Sequence, residues 1–366
     1  QGLAALFVSA IFLPARLSAA PAEPARPNQT ETPPLPECPP GAPSHRFMVV
    51  TKQRSGSRWL VDNLAARSGN VALKAREMFC AGCSCGAPIN ASEAAAEGEA
   101  AVAGCAGTLR ERYATLARRA QCDDSKRVGY KFMVPHSPQM PVGQRPPRWW
   151  HPTAASFEPL ARAACREHVA VVFMWRRNVL RRLISEAANM LDGRRGGSHV
   201  AHPTTEAQVD RLRRVRPRLM PGPIRRDIQM EEDVRRAVEG AFRLLEGECE
   251  EARRAKVYYY EDLRDGAPRA EELWEDMCER LGIPLAPPGS EARVLAERAA
   301  HDYKVIHGSL PVLDTVGNPK MVRRALKGTR YEWMLYDGDP EDAGRQGEQG
   351  PAKPDSGAPS NSSAHH

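Results

Sequence analysis

Four short runs of apolar residues punctuate this chain. They are Phe47-Met48-Val49-Val50-Thr51, residues 128–134, Val169-Ala170-Val171-Val172-Phe173-Met174-Trp175, and Lys256-Val257-Tyr258-Tyr259-Tyr260. Each is short and rich in β-branched or aromatic residues, which predicts strands. The third run is apolar throughout, as a parallel strand covered on both faces requires. Between the runs the apolar positions change to helical spacing. Trp59, Leu60 and Leu64 mark one helix, and a second falls around 157–168. Val234, Val238, Phe242 and Leu245 mark a third, predicted from Glu231 to about Ala255. A fourth covers 267–282, stopped by Gly282 and Pro284. Strands that alternate with helices, over connections long enough for crossovers, predict an α/β fold with an open, mainly parallel sheet flanked by helices.

The flanks differ in pattern. Residues 2–13 are apolar and small residues follow them, so 1–20 is expected to be a signal peptide or a membrane anchor. Residues 21–44 are rich in Pro, Ala, Glu and Thr and read as an extended linker. The globular part spans 45–336. Within it, 80–125 reads as an insertion of Gly/Ala-rich turns with one helix around 109–120, and 190–227 as a long basic loop. Residues 337–366 read as a disordered tail.

Composition narrows the class. Hydrophobic residues make up 42% of the 366, enough for a core of ordinary size, and the net charge of +7 favours an anionic partner. Aromatics are only 6% and no basic stripe is interleaved with them, which argues against nucleic acid. The nine cysteines include one tight cluster, Cys80-x-x-Cys83-x-Cys85, but no second pair at zinc spacing. Disulfides in an oxidising compartment fit better, with at least one thiol left over and the pairing open. Sequons at Asn28, Asn90 and Asn361 agree with a secretory lumen.

The chemistry gathers at Lys52-Gln53-Arg54-Ser55-Gly56-Ser57-Arg58-Trp59, between the first strand and its helix. A loop that opens a helix presents unpaired N–H groups and the positive end of the helix dipole. Arg54, Ser55, Ser57 and Arg58 add donors, and Gly56 lets the backbone approach an anion. The ATP-type loop G-x-x-x-x-G-K-[ST] is absent. His136 and Arg177 also follow strands directly, so all three places should meet at the carboxyl edge of the sheet. Arg177 and Ser185 can close on one phosphate. Arg181 and Arg182 read as a basic helix face in water.

Gln53-Arg54-Ser55-Gly56-Ser57-Arg58-Trp59 resembles the 5′-phosphosulfate loop of sulfotransferases that use 3′-phosphoadenosine 5′-phosphosulfate (PAPS). The Arg177…Ser185 pair is similar to that family's 3′-phosphate motif. Tyr260-Glu261-Asp262-Leu263 resembles its Y-E-D-L segment. Ala325-Leu326-Lys327-Gly328-Thr329-Arg330-Tyr331 resembles its C-terminal lysine–glycine loop, with Leu326 where an Arg is usual. The resemblance implies a P-loop NTPase-like sulfotransferase fold over 45–336, with PAPS as cofactor and no metal. It implies Arg54 at the phosphosulfate bridge and Ser55, Gly56, Ser57 and Arg58 at the 5′-phosphate. Trp59 and Tyr260 would lie at the adenine, and Arg177, Ser185, Lys327 and Gly328 at the 3′-phosphate. Glu77 resembles the Glu of the E-x-F segment in trehalose-type members and is the first candidate for general base, with His136 the competitor. The expected acceptor is a carbohydrate hydroxyl, and the expected place is the secretory pathway, either anchored in the Golgi lumen or secreted. Two other readings stay open: a non-catalytic glycan- or anion-binding protein on the same scaffold, and a nucleotide-dependent phosphotransferase.

Overall fold

The computed structural model describes residues 45–52, 55–69, 72–74, 91–119, 127–134, 152–194, 207, 210–211, 214–264, 266–291, 293–294 and 310–336. The expected leader, linker and tail lie outside these residues.

Five strands form one parallel sheet: β1 (Arg46–Thr51), β2 (Ala72–Lys74), β3 (Arg127–Met133), β4 (Val169–Trp175) and β5 (Lys256–Tyr259). Their order is β2-β3-β1-β4-β5, and every pairing is parallel. β1 therefore lies at the centre, with Arg46 opposite Val128 on one side and Val169 on the other. The chain leaves β1 toward β2 and later crosses to β4 on the opposite side. The carboxyl end of β1 is thus the switch point, where open parallel sheets bind ligands. The predicted α/β class holds, and β4 matches its expected bounds end to end.

Alternation along β1 divides the core. Met48 and Val50 face a layer built from α2 (Ala91–Arg119), α3 (Glu158–Arg166) and α5 (Pro221–Arg243). Phe47 and Val49 face α1 (Ser57–Arg67) and α8 (Ala270–Arg280), packing with Leu60, Leu64, Trp274 and Met277. A third cluster joins α4 (Val179–Arg194) and the start of α5 to α9 (Pro319–Leu326). The short helices α6 (Glu250–Arg254) and α7 (Tyr260–Leu263) flank β5.

Four sequence expectations are corrected. Between residues 91 and 119 the expected insertion is one 29-residue helix, α2, longer than the expected helix around 109–120; the expected turns at 80–90 lie outside the described residues. Its buried face, Val102, Cys105, Ala106, Leu109, Tyr113, Leu116 and Ala117, follows a helical stripe, and the Tyr113 hydroxyl donates to the Phe47 carbonyl at 2.6 Å. The basic loop gives up both its ends, to α4 and to α5. α5 starts ten residues earlier than expected because Pro221 stands in its first turn, where the missing N–H costs nothing. The helix expected from Glu231 to Ala255 is two, since α5 stops at Arg243 and α6 begins at Glu250. β5 ends at Tyr259, so Tyr260 opens α7.

A disulfide joins Cys165, at the end of α3, to Cys249, which caps α6. Cys105 is also disulfide-bonded. Cys278 is free and buried, its thiol pushed up to about 12 by burial. Among the described residues no helix is long and apolar enough to cross a membrane.

Candidate active site

β1 ends at Thr51, Lys52 follows it, and the turn is closed by the Ser55 amide donating to the Lys52 carbonyl at 3.2 Å. Gly56 has φ +82°, in the left-handed region. A Cβ there would stand 2.5 Å from Cδ2 of Tyr260, so glycine is required both by backbone and by space. α1 begins at Ser57 with no side-chain cap and no acid in its first turn. Its first amides therefore point toward the loop with nothing from the helix itself to receive them.

Beneath the loop lies a pocket lined by Lys52, Ser55, Trp175, Arg176, Arg182, Glu231, Val234 and Arg235. The ends of β1 and β4, α4 and α5 each contribute. Four of the lining side chains are basic and one is acidic. Arg182 is 1% exposed and forms ion pairs with Glu186, one turn along α4 at 2.7 Å, and with Glu231 of α5. Arg176 lies 3.6 Å from Glu261 and over the Tyr260 ring. Arg235 donates to the Arg176 carbonyl at 3.1 Å. Burial lowers the pKa values of Arg176 and Arg182, but a guanidinium starts above about 12 and remains charged at neutral pH.

Lys52 is different. Its side chain is buried, its Nζ makes no hydrogen bond, and Glu231, already drawn to Arg182, is 3.9 Å away. Burial first, then the neighbouring Arg182, push the amine down to about 7, against an upward pull from Glu186 and with a smaller downward push from Arg235. It can therefore change charge near neutral pH, which no arginine can.

The other residues singled out in the sequence fall as follows. Ser55 and Gly56 form the loop, and Ser57 and Arg58 open α1. Arg54, Glu77 and His136 lie outside the described residues. Arg177 follows β4 as expected. Its Nη2 donates to Asp262 Oδ2 at 2.6 Å, its amide donates to Glu261 Oε2 at 2.9 Å, and its guanidinium covers the Tyr259 ring. Ser185 is half-buried on α4, one turn from Arg182. Trp59 is 3% exposed, edge-on to Tyr260 and tilted against Trp274. Tyr260 is buried under Gly56, so these two rings support the loop from behind. Lys327 is exposed at the end of α9, and the Gly328 amide donates to Glu332 Oε2 at 2.7 Å. Leu326 is fully buried in the third cluster, which accounts for an apolar residue at that position.

No known protein family, curated protein or solved structure matches this chain. The site must therefore speak through its own geometry. The largest correction concerns Arg182, expected on a wet helix face and found buried in the pocket. Lys52, Arg176, Arg235 and Glu231 were not foreseen either. The usable signal for Lys52 and Arg176 was position, since each is the first residue after a strand at the sheet's central pair.

Proposed function

We propose that this protein is a PAPS-dependent sulfotransferase that transfers a sulfuryl group to a hydroxyl of a carbohydrate. The observation that carries the reading is the cationic pocket under an uncapped β1–α1 loop at the switch point of a parallel sheet. Two features fit an anionic cofactor there: the buried Nζ of Lys52, which makes no hydrogen bond, and the cradle at Gly56 that a Cβ would fill.

PAPS, when bound, supplies the sulfuryl group and a 3′,5′-bisphosphate leaving group. Ser55, the Gly56 backbone, Ser57 and the first turn of α1 would hold the phosphosulfate end. Arg54, Lys52, Arg176 and Arg182 would balance its charge as donors fixed before the reaction starts, which is how a transfer with developing negative charge is accelerated. Arg177, Ser185 and Lys327 would hold the 3′-phosphate, with Arg177 exchanging Asp262 for it. Glu77 or His136 would take the proton of the acceptor hydroxyl.

The test is transfer of radiolabelled sulfuryl from PAPS to a panel of glycans by the full chain, with chelator present. Expected is label on at least one glycan, reduced at least about a hundredfold in Glu77→Gln if that carboxylate is the base. Equal loss in His136→Ala alone would move the role to His136. No transfer to any glycan, by a folded protein that binds the cofactor, would remove the carbohydrate acceptor from the reading.

A further inference from the structure

We propose that Lys52 is the proton-accepting member of this anion site, taking up one proton from solvent as a phosphate or sulfate group arrives at the loop. It rests on the function proposed above only in placing an anion at Ser55 and Gly56. The geometry is specific. Lys52 is the last residue before the loop, its Nζ is buried and makes no hydrogen bond, and it shares one pocket with Ser55. Among the described residues the charged groups around it come from three elements. From α4 come Arg182 and Glu186, from α5 come Glu231 and Arg235, and from the end of β4 comes Arg176. Glu186 and Glu231 both pair with Arg182, and the one carboxylate oxygen within reach of Lys52, Glu231 Oε1 at 3.9 Å, is shared with that arginine. A protonated amine there is short of counter-charge, which an arriving anion would supply.

Before an anion arrives, burial and the two arginines favour the neutral amine, with a midpoint at about 7. An oxyanion beside it reverses the balance, because an opposite charge within a few ångströms favours the charged form. The amine gains a proton and the anion gains a third cation beside Arg176 and Arg182. Binding and protonation are then linked, and each must strengthen the other.

The experiment is calorimetric titration of the full chain with inorganic sulfate, which carries two charges throughout the range and takes no proton itself. Runs in two buffers of different ionisation heat give the protons taken up per anion. A midpoint at about 7 predicts about 0.9 proton at pH 8 and about 0.1 at pH 6, and sulfate affinity falling close to tenfold from pH 8 to pH 9. Lys52→Arg keeps its charge at every pH, so uptake should vanish and affinity should flatten. Lys52→Met should bind more weakly than wild type at pH 7, by a margin that shrinks close to tenfold between pH 8 and pH 9. The same titration with 3′-phosphoadenosine 5′-phosphate separates the two claims. Binding of that nucleotide at pH 8 with no uptake overturns the role of Lys52 and leaves the sulfotransferase reading intact. Uptake with sulfate, but no binding of the nucleotide, keeps Lys52 and removes that reading. No uptake with either probe in the wild type, or equal uptake in Lys52→Arg, overturns the proposal.

Discussion

Replacing Lys52 by Met should stabilise the protein, by an amount that depends on pH in a defined way. An unfolded lysine titrates near about 10.4. In the folded protein burial and neighbouring arginines hold the amine at about 7. Below pH 7 the folded state carries a poorly solvated charge at full cost. Between about 7 and 10 the folded protein has already lost a proton that the unfolded chain keeps, so stability is regained at about 1.4 kcal/mol per pH unit. Above about 10 both states are neutral and the cost is gone. Worked through, the amine costs on the order of 4 kcal/mol at pH 7 and about 2 kcal/mol at pH 9. Met has similar length, no charge, and apolar neighbours in Trp175 and Val234. Urea unfolding of both proteins at the two pH values gives the difference directly, and ionisations shared by both cancel. A gain in stability at pH 7 that halves at pH 9, with weaker anion binding, marks a residue retained for binding at the expense of folding. An equal gain at both pH values, or a less stable variant at pH 7, would refute the reasoning.

Other perturbations test the frame around the pocket. Arg182→Met leaves Glu231 buried without its partner, and should cost about 3–5 kcal/mol at pH 7, measured by urea unfolding. Arg182→Met combined with Glu231→Leu should recover most of it. Gly56→Ala places a Cβ against Tyr260 in a left-handed backbone, and should cost about 2–4 kcal/mol with weakened sulfate binding; an unchanged melting temperature would contradict the loop geometry. Cys249→Ala opens a disulfide that closes a separation of 84 residues, and should cost about 4.5 kcal/mol by urea unfolding under non-reducing conditions; an unchanged midpoint would contradict it.

The sheet was legible because its strands announce themselves locally. Val169–Trp175 is apolar at every position and buried on both faces, so composition alone marks it. β2 has three residues and too little pattern to be seen. α2 was underestimated because its N-terminal half is Ala, Gly and Glu, with little contrast between faces. The start of α5 was hidden by Pro221 and Pro223, which read as loop although the first turn of a helix tolerates them. The site was half legible. Ser55, Gly56 and Arg177 stand at the strand ends where order and spacing put them. Arg182 was missed for a physical reason: it sits beside Arg181, and local sequence cannot tell which of two adjacent arginines meets a buried glutamate on another helix. Lys52 was missed because its depressed titration comes from burial and from Arg182 and Arg235, which only the fold brings near.

The most direct test of the central claim is titration of the full chain with 3′-phosphoadenosine 5′-phosphate, without metal, for wild type and Arg177→Ala. A sulfotransferase site predicts saturable binding to the wild type, weakened at least about tenfold in the variant by loss of a charge-assisted hydrogen bond to phosphate. No binding by the folded wild type, or equal binding by both proteins, would contradict it.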